Sequence, residues 1–314
     1  MASPGLIVLG QRDGRVHFVD AFTGARRENL RTHSQSVSCV AISRDGHFIA
    51  SWSPGGTIKM REASGSIMFD VEQLARVSVM AFSPSSHLLA VGSDRTTVLL
   101  RDAKTGKLEW VLQHPFPWAT ASISFSAERA LLATSSDEGQ ILIWDISEPV
   151  PSTGVKTRGM ELVRCSIDTT VSGSHPVVFS PDGRTVASAS VSSPQRVSTV
   201  KIWDADTGKV KKEFAGHRGS ILSLCFSPDG SALASGSTDK TVRVWEVESG
   251  AQRLCLLGHY SGDGCLCNNG LLNWALHPGF LPQANPYTLC PTPYTLHPTP
   301  YTLNPTPYTL HPTP

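Results

Sequence analysis

The sequence lacks long apolar runs and an excess of charge of either sign. No stretch approaches the roughly 20 apolar residues that a membrane-crossing helix needs. The first apolar run, Leu6 to Leu9, has no charged leader before it and meets Asp13-Gly14 at once, which predicts a strand rather than a signal peptide. The 27 basic and 26 acidic residues are balanced, unlike the basic balance of most nucleic-acid-binding proteins. We therefore predict neither a nucleic-acid partner nor a membrane partner.

A recognisable cysteine pattern is also missing, although the chain has seven cysteines. One group could suggest a metal site, but its spacing matches no common zinc pattern; its members are Cys255, His259, Cys265 and Cys267. We predict no metal, no cofactor and free thiols in a reducing compartment. A cytoplasmic location follows from this prediction, with the nucleus as an alternative.

What the sequence does contain is a repeated unit of short strands, clearest from Ser220 to Gly250 and the residues that follow. Apolar residues alternate in its segments, and Pro228-Asp229-Gly230 is a typical hairpin turn between the first two. The unit predicts four strands: Ile221–Phe226, Ala232–Gly236, Thr241–Val247 and Arg253–Leu257.

The unit occurs six times, at intervals of about 40–45 residues apart from one longer interval before the fifth copy. When the third strands are aligned, one position is occupied by Val19, Arg61, Arg101, Trp144, Trp203 and Trp245. Four short strands per unit at this period indicate a β-propeller. The longer interval predicts an insert loop over Ser147–Lys156, and a second small insert is predicted over Val191–Ser198.

Residues 5–259 resemble the WD40-repeat family. The residues that carry the resemblance are Trp144-Asp145, Trp203-Asp204, Trp245-Glu246, Gly216-His217, Gly258-His259 and the Phe-Ser-Pro-Asp-Gly segments that begin at Phe179 and Phe226. The resemblance implies an all-β WD40-type propeller with six recognisable four-stranded blades.

The two ends of the sequence depart from the repeat. Unit one starts at its second strand, so residues 271–279, LLNWALHPG, could supply the missing strand and close a six-bladed ring. Alternatively the six units are part of an incomplete seven-bladed ring. Residues 280–314 are rich in proline and end in a heptapeptide repeat from Pro286 to Thr313, which predicts a disordered low-complexity tail. A repeated CCCTACA unit would encode this heptapeptide, so we interpret the tail as translated repeat DNA.

One group of residues has the composition of a hydrolase triad, namely His217, Ser235 and Asp239. Ser235 lacks the Gly-x-Ser-x-Gly elbow that exposes a nucleophile. The resemblance implies instead a buried hydrogen-bond relay that joins these residues to Trp245. We therefore predict that the protein is not an enzyme.

The relay is complete only in unit six. Unit two keeps His33 and Ser51 without a turn carboxylate, and unit four keeps Thr134 and Trp144 with Glu138 in place of the aspartate. We expect the N-terminal blades to be less rigid for this reason.

A propeller without chemistry of its own predicts a scaffold or adaptor that binds proteins or peptides within a multiprotein complex. Aromatic and basic loop residues are the candidate contacts, since tryptophan and arginine often anchor interfaces; they are Trp52, Arg95, Trp118 and Arg218. The two tryptophans could instead pack between blades. The alternative function is a regulatory sensor domain of a larger signalling or ubiquitin-ligase assembly, although the Trp-Asp-x-Arg signature of ligase-docking propellers is missing.

Overall fold

The structure, a computed structural model, describes part of the chain: residues 6–20, 23–72, 75–94, 96–115, 118–147, 156–158, 163–168, 176–192 and 197–257. The predicted closing strand 271–279 and the predicted tail 280–314 lie outside the described residues. The described residues all belong to one compact unit.

The described residues form strands and no helices, in six separate sheets that we call blades one to six. Blades one to three contain β1 (Leu6–Gly10), β2 (Arg15–Asp20), β3 (Arg26–Arg31), β4 (Cys39–Ile42), β5 (Phe48–Ser53), β6 (Thr57–Glu62), β7 (Ile67–Glu72), β8 (Val77–Phe82), β9 (Leu88–Ser93), β10 (Thr97–Asp102) and β11 (Leu108–Gln113). Blades four to six contain β12 (Thr120–Phe125), β13 (Leu131–Ser136), β14 (Gln140–Asp145), β16 (Val163–Asp168), β17 (Val177–Phe179), β18 (Thr185–Ser192), β19 (Val197–Asp204), β20 (Val210–His217), β21 (Ile221–Phe226), β22 (Ala232–Ser237), β23 (Thr241–Glu246) and β24 (Gln252–Leu257).

Each blade is an antiparallel meander, and the blades follow one another around the molecule. Blade one has three described strands, β1 to β3, as its truncated repeat predicts; the other blades each have four meander strands, and blade three has a fifth strand at its edge. The first strands of successive blades contact one another in the order β4, β8, β12, β17 and β21. This arrangement confirms the predicted all-β propeller.

A register shift between the third and fourth strands marks the same position in all six blades. It falls between a third-strand residue and the one that precedes it, and the residues concerned are Val19, Arg61, Arg101, Trp144, Trp203 and Trp245. These are the six residues that the sequence alignment places together. The repeat therefore has one backbone geometry, although its side chain at this position varies from valine to tryptophan.

The core lies between the blades rather than at a single centre. Both faces of a blade are apolar, because a blade packs on the blade before it and on the blade after it. Between blades four and five, for example, Ile141, Ile143 and Ile167 of blade four pack with Val177 and Phe179 of blade five. Burial of each such side chain contributes about 1.5–3 kcal/mol.

The structure adds detail to both inserts. The first is followed by an additional strand, β15 (Lys156–Arg158), which begins at the last residue of the predicted loop and pairs in parallel with β11 at the edge of blade three. The second insert lengthens a hairpin, since Val191 pairs with Ser198 and Ser192 pairs with Val197, while residues 193–196 lie outside the described residues.

Candidate functional site

The four residues of the predicted relay come together in blade six, and we call them the blade-six relay. His217 Nδ1 lies 2.9 Å from Asp239 Oδ2, and its Nε2 lies 2.7 Å from Ser235 Oγ. Trp245 donates its indole N–H to Ser235 Oγ over 2.9 Å. A single chain of donors, from Trp245 through Ser235 and His217 to Asp239, satisfies each of these polar groups, with the Nδ1–H tautomer of the histidine assigned from this network.

Asp239 receives further hydrogen bonds that keep it charged. Thr241 Oγ1 donates to its Oδ1 at 2.6 Å, and the Arg218 backbone N–H donates to its Oδ2 at 3.0 Å. Burial by itself would raise the pKa of Asp239, but the hydrogen bonds from Thr241, His217 and Arg218 hold this pKa below its usual range. The carboxylate therefore ties the loop before β21 to the turn after β22.

The arrangement is unsuitable for nucleophilic catalysis. His217 and Ser235 are both 0% exposed, so no substrate reaches the hydroxyl in this conformation. Burial lowers the pKa of His217, which the neighbouring Asp239 only partly offsets, so the imidazole stays neutral. What the geometry can do is hold two loops together at one rim of the blade.

Close backbone packing completes this contact between the loops. A Cβ atom on Gly219 would lie 2.4 Å from Thr238 Oγ1 and 2.7 Å from the Asp239 nitrogen. Glycine is therefore required where the loop passes over the turn. Lys240, next in that turn, adopts a positive φ of 68°.

Blade two contains a partial relay without a carboxylate. His33 Nε2 lies 2.9 Å from Ser51 Oγ, and both residues are buried. Burial, followed by the charges of Lys59 and Arg61, lowers the pKa of His33 to about 4. This histidine is neutral at pH 7, and the loop that carries it lacks the anchor that Asp239 provides in blade six.

Blade four contains a second partial relay, whose histidine the sequence analysis missed. Trp144 donates its indole N–H to Thr134 Oγ1 at 2.9 Å, and His114 Nε2 lies 3.4 Å from the same oxygen. Burial lowers the pKa of His114 to about 4. The sequence did contain a signal for this residue. His114 precedes the first strand of its blade, as His33 and His217 do, although a Pro-rich loop lies between His114 and that strand. Glu138, at the position of Asp239, is exposed.

The four residues predicted as partner contacts have different environments. Trp52 is 3% exposed and packs between blades two and three, so its prediction as a rim contact is wrong, and the alternative of packing between blades is correct. Arg95 lies outside the described residues. Trp118 is partly exposed in the loop between β11 and β12. Arg218 is exposed, and its guanidinium has no ion pair with any residue in the described ranges.

The residues weighed as metal ligands are not brought together in the described structure. Only Cys255 of that group is described, as an exposed free thiol in β24. Across the described ranges, no three or more His, Cys, Asp or Glu side chains are grouped as metal ligands would be. Burial raises the pKa of the Cys39 and Cys225 thiols to about 12, which leaves both unreactive. In the same ranges, no helix is long and apolar enough to cross a membrane.

Comparison with known proteins agrees with the geometry. The family described as WD domain, G-beta repeat matches four segments of the chain: residues 24–61, 72–100, 109–145 and 208–246. Each segment runs into the third strand of a blade, the strand that carries the register shift. The chain therefore contains segments that match the WD40 repeat at four positions.

Relatives of the chain include the nuclear distribution protein PAC1 of Arthroderma otae, which is 27% identical over 77% of the chain and 50% of the relative. Periodic tryptophan protein 2 of Arabidopsis thaliana is 28% identical over 54% of the chain and 17% of the relative. Human apoptotic protease-activating factor 1 is 26% identical over 61% of the chain and 14% of the relative. The chain thus spans about half or less of the length of these relatives.

Proposed function

We propose that the protein is a non-enzymatic scaffold that binds a protein or peptide at the rim of blade six. The observation that carries the proposal is the exposed Arg218 side chain on a loop whose backbone is bonded to the Asp239 carboxylate. A contact residue on a fixed loop loses little conformational entropy on binding, which favours affinity.

The charges at this rim suggest the chemistry of the partner. Arg218 and Lys240 are both exposed on loops at the same end of blade six. The nearby carboxylate of Asp239 is already engaged by His217 and by the Arg218 backbone, so it does not pair with the Arg218 side chain. The rim therefore presents positive charge, which suits a partner segment that carries Asp or Glu.

Affinity capture with the full chain tests the proposal. Proteins from a cell extract are captured on the wild-type chain and on the Arg218→Ala and Lys240→Ala variants, then compared by quantitative mass spectrometry. Lys104→Ala is the matched control, because Lys104 is an exposed lysine of the turn between β10 and β11, at the opposite end of a blade.

We expect a set of acidic partners to be depleted at least about tenfold by Arg218→Ala, which corresponds to about 1.4 kcal/mol or more, and retained by the control. A partner set that is unchanged in both rim variants would contradict the proposal. Trp118→Ala tests whether the contact extends to blade four.

The second candidate function is a regulatory domain within a larger assembly, in a reducing compartment of the cell. The share of the relatives that the chain matches, 14% and 17% in two of them, favours this candidate, since the matching region there is part of a much longer protein. The measurement is the native size of the protein in a gently prepared extract. Migration as a monomer would count against a stable assembly.

A further inference from the structure

The outer strands of the six blades differ in how their free edges are protected against pairing with another strand. An outer strand leaves a row of backbone N–H and C=O groups unpaired, and charged side chains, lysine above all, discourage another chain from adding there. Lys or Arg is present in four of the six outer strands, namely β3, β16, β20 and β24. The other two outer strands, β7 (IMFDVE) and β11 (LEWVLQ), contain neither residue.

One of these two unprotected edges is covered by a strand in the structure. β15 lies along β11 in parallel, with Lys156 opposite Trp110 and Arg158 opposite Leu112. The sheet of blade three therefore has five strands, whereas the other described sheets have three or four. An outer edge of this propeller can thus accept an extended segment as an additional strand.

The edge of β7 has the same construction as the edge of β11. Both strands have a register shift at the same place against their third strand, ahead of Arg61 in blade two and ahead of Arg101 in blade three. Counted from this shift, Phe69–Val71 corresponds to Trp110–Leu112, the part of β11 that pairs with β15. Among the described strands β7 pairs only with β6, so this part of its edge is open.

The open edge of β7 is held in place by its neighbours. A Cβ atom on Gly106 would lie 2.6 Å from Phe69 and 3.0 Å from Val71, so the turn between β10 and β11 packs directly on these two side chains. Lys59 of β6 donates a hydrogen bond to Asp70 over 2.9 Å and ties β7 to its partner strand. A segment that adds here meets an ordered strand, which lowers the entropic cost of binding.

The charges at this edge indicate the chemistry of the added segment. β7 contains Asp70 and Glu72 and no cation, and Glu72 is exposed and has no ion pair with any residue in the described ranges. Ile67 at the start of the strand is 67% exposed and offers an apolar contact. β15, which does add to an outer edge, has Lys156 and Arg158 among its three residues. A segment that combines Lys or Arg with apolar residues therefore complements the edge of β7.

We propose that the edge of β7 binds a basic, extended segment of a partner protein, which adds to blade two as a fifth strand. The backbone of the segment pairs with Phe69–Val71, and its cationic side chains lie beside Asp70 and Glu72. β15 itself is not available for this role, because it is paired with β11. This edge is separate from the rim of blade six and suits a partner of the opposite charge, so the two proposals are independent.

Amide hydrogen exchange of the full chain, measured by mass spectrometry, tests the proposal with a synthetic probe peptide in excess. The probe is acetylated Val-Lys-Thr-Arg-Val-Lys, which contains the Lys-Thr-Arg sequence of β15. Val-Glu-Thr-Glu-Val-Glu is a control that reverses the charge, and Gly-Lys-Gly-Arg-Gly-Lys is a control that keeps the charge and has a low strand propensity. We expect the probe to slow exchange over residues 67–72 at least about fivefold, and both controls to leave it unchanged.

Substitutions on the edge separate strand pairing from other modes of binding. Glu72→Lys and Ile67→Lys each place a lysine on the edge at an exposed position, so the probe should lose its effect in both variants. Glu213→Lys is the matched control, because Glu213 is exposed on β20, an edge that already contains two lysines. This control variant should respond to the probe as the wild-type chain does.

Three results would overturn the proposal. The first is unchanged exchange over residues 67–72 in the presence of the probe, and the second is equal protection by the acidic peptide. The third is sedimentation of the wild-type chain as a dimer that Ile67→Lys converts to a monomer, because the edge would then pair with a second copy of this chain.

Discussion

Blades six and two begin from the same pair of residues, a buried histidine before the inner strand and a serine on the second strand, and differ in what surrounds the pair. In blade six, Asp239 and Trp245 extend the pair into a continuous relay. In blade two, the His33 side chain bonds only to Ser51 among the described residues, and Arg61 stands at the tryptophan position. The comparison shows that one fold accommodates both arrangements, and that of the two loops only the one in blade six has a backbone N–H bonded to a turn carboxylate.

Of the changes considered, a fall in pH should lower the free energy of unfolding most. His33 and His114 have folded-state pKa values of about 4, below the ordinary 6.5. Their neutral forms therefore stabilise the fold above pH 6.5, and this stability is lost as the pH falls from 6.5 toward 4. The loss is on the order of 3 kcal/mol for each histidine.

Urea unfolding across this pH range measures the effect. His33→Gln should flatten the dependence of the unfolding free energy on pH, whereas His47→Gln, at an exposed histidine, should leave it unchanged. An equal slope in all three proteins would show that the buried histidines do not control the response.

The second largest loss of unfolding free energy is expected when the central residue of the blade-six relay is removed. His217→Ala leaves the buried Ser235 hydroxyl and the Asp239 carboxylate without their shared partner. The expected loss is about 1–3 kcal/mol of unfolding free energy at pH 7. His47→Ala is the matched control, with an expected change of about 0.5 kcal/mol or less. A melting curve that His217→Ala does not shift would count against the relay as a stabilising element.

The two buried indoles should respond differently to the loss of their N–H groups. Trp245→Phe deletes a hydrogen bond to Ser235 and should cost about 1 kcal/mol beyond any loss of volume. Trp52 Nε1 is buried and has no partner in the described part of the chain. Trp52→Phe should therefore lower the stability less than Trp245→Phe does. Thermal melts of the two variants measure this difference. The reverse order would be inconsistent with the described hydrogen bonds.

Replacing the glutamate of the blade-four turn with the aspartate found in blade six should have the smallest effect. Glu138→Asp shortens the side chain at the position of Asp239 and brings the carboxylate to the length that pairs with the histidine in blade six. We expect a gain of about 0.5–1 kcal/mol and a rise in the pKa of His114, which NMR titration can follow. An unchanged His114 titration would mean that the blade-four turn does not reproduce the blade-six geometry.

The strands could be predicted from the sequence because alternating valines and hairpin turns are local signals, whereas the blade-six relay was implied by the resemblance to the WD40-repeat family. Burial was harder to predict. The pattern around Trp52 fits a rim residue and a residue between blades equally well, and only the packing of blade three against it decides. β15 gave no signal, since Lys156–Arg158 is polar and pairs with a strand more than 40 residues away. His114 was missed because the repeat is weakest in the loop beside it.

The most direct test of the anchored loop is amide hydrogen exchange, measured by NMR on the native protein at pH 7. The Arg218 N–H is bonded to the Asp239 carboxylate, whereas Ser34, which follows His33 in blade two, has no such carboxylate. If the relay fixes the blade-six rim, the Arg218 amide exchanges at least about tenfold more slowly than the Ser34 amide. Equal exchange rates at the two amides would contradict the claim that the complete relay makes this rim rigid.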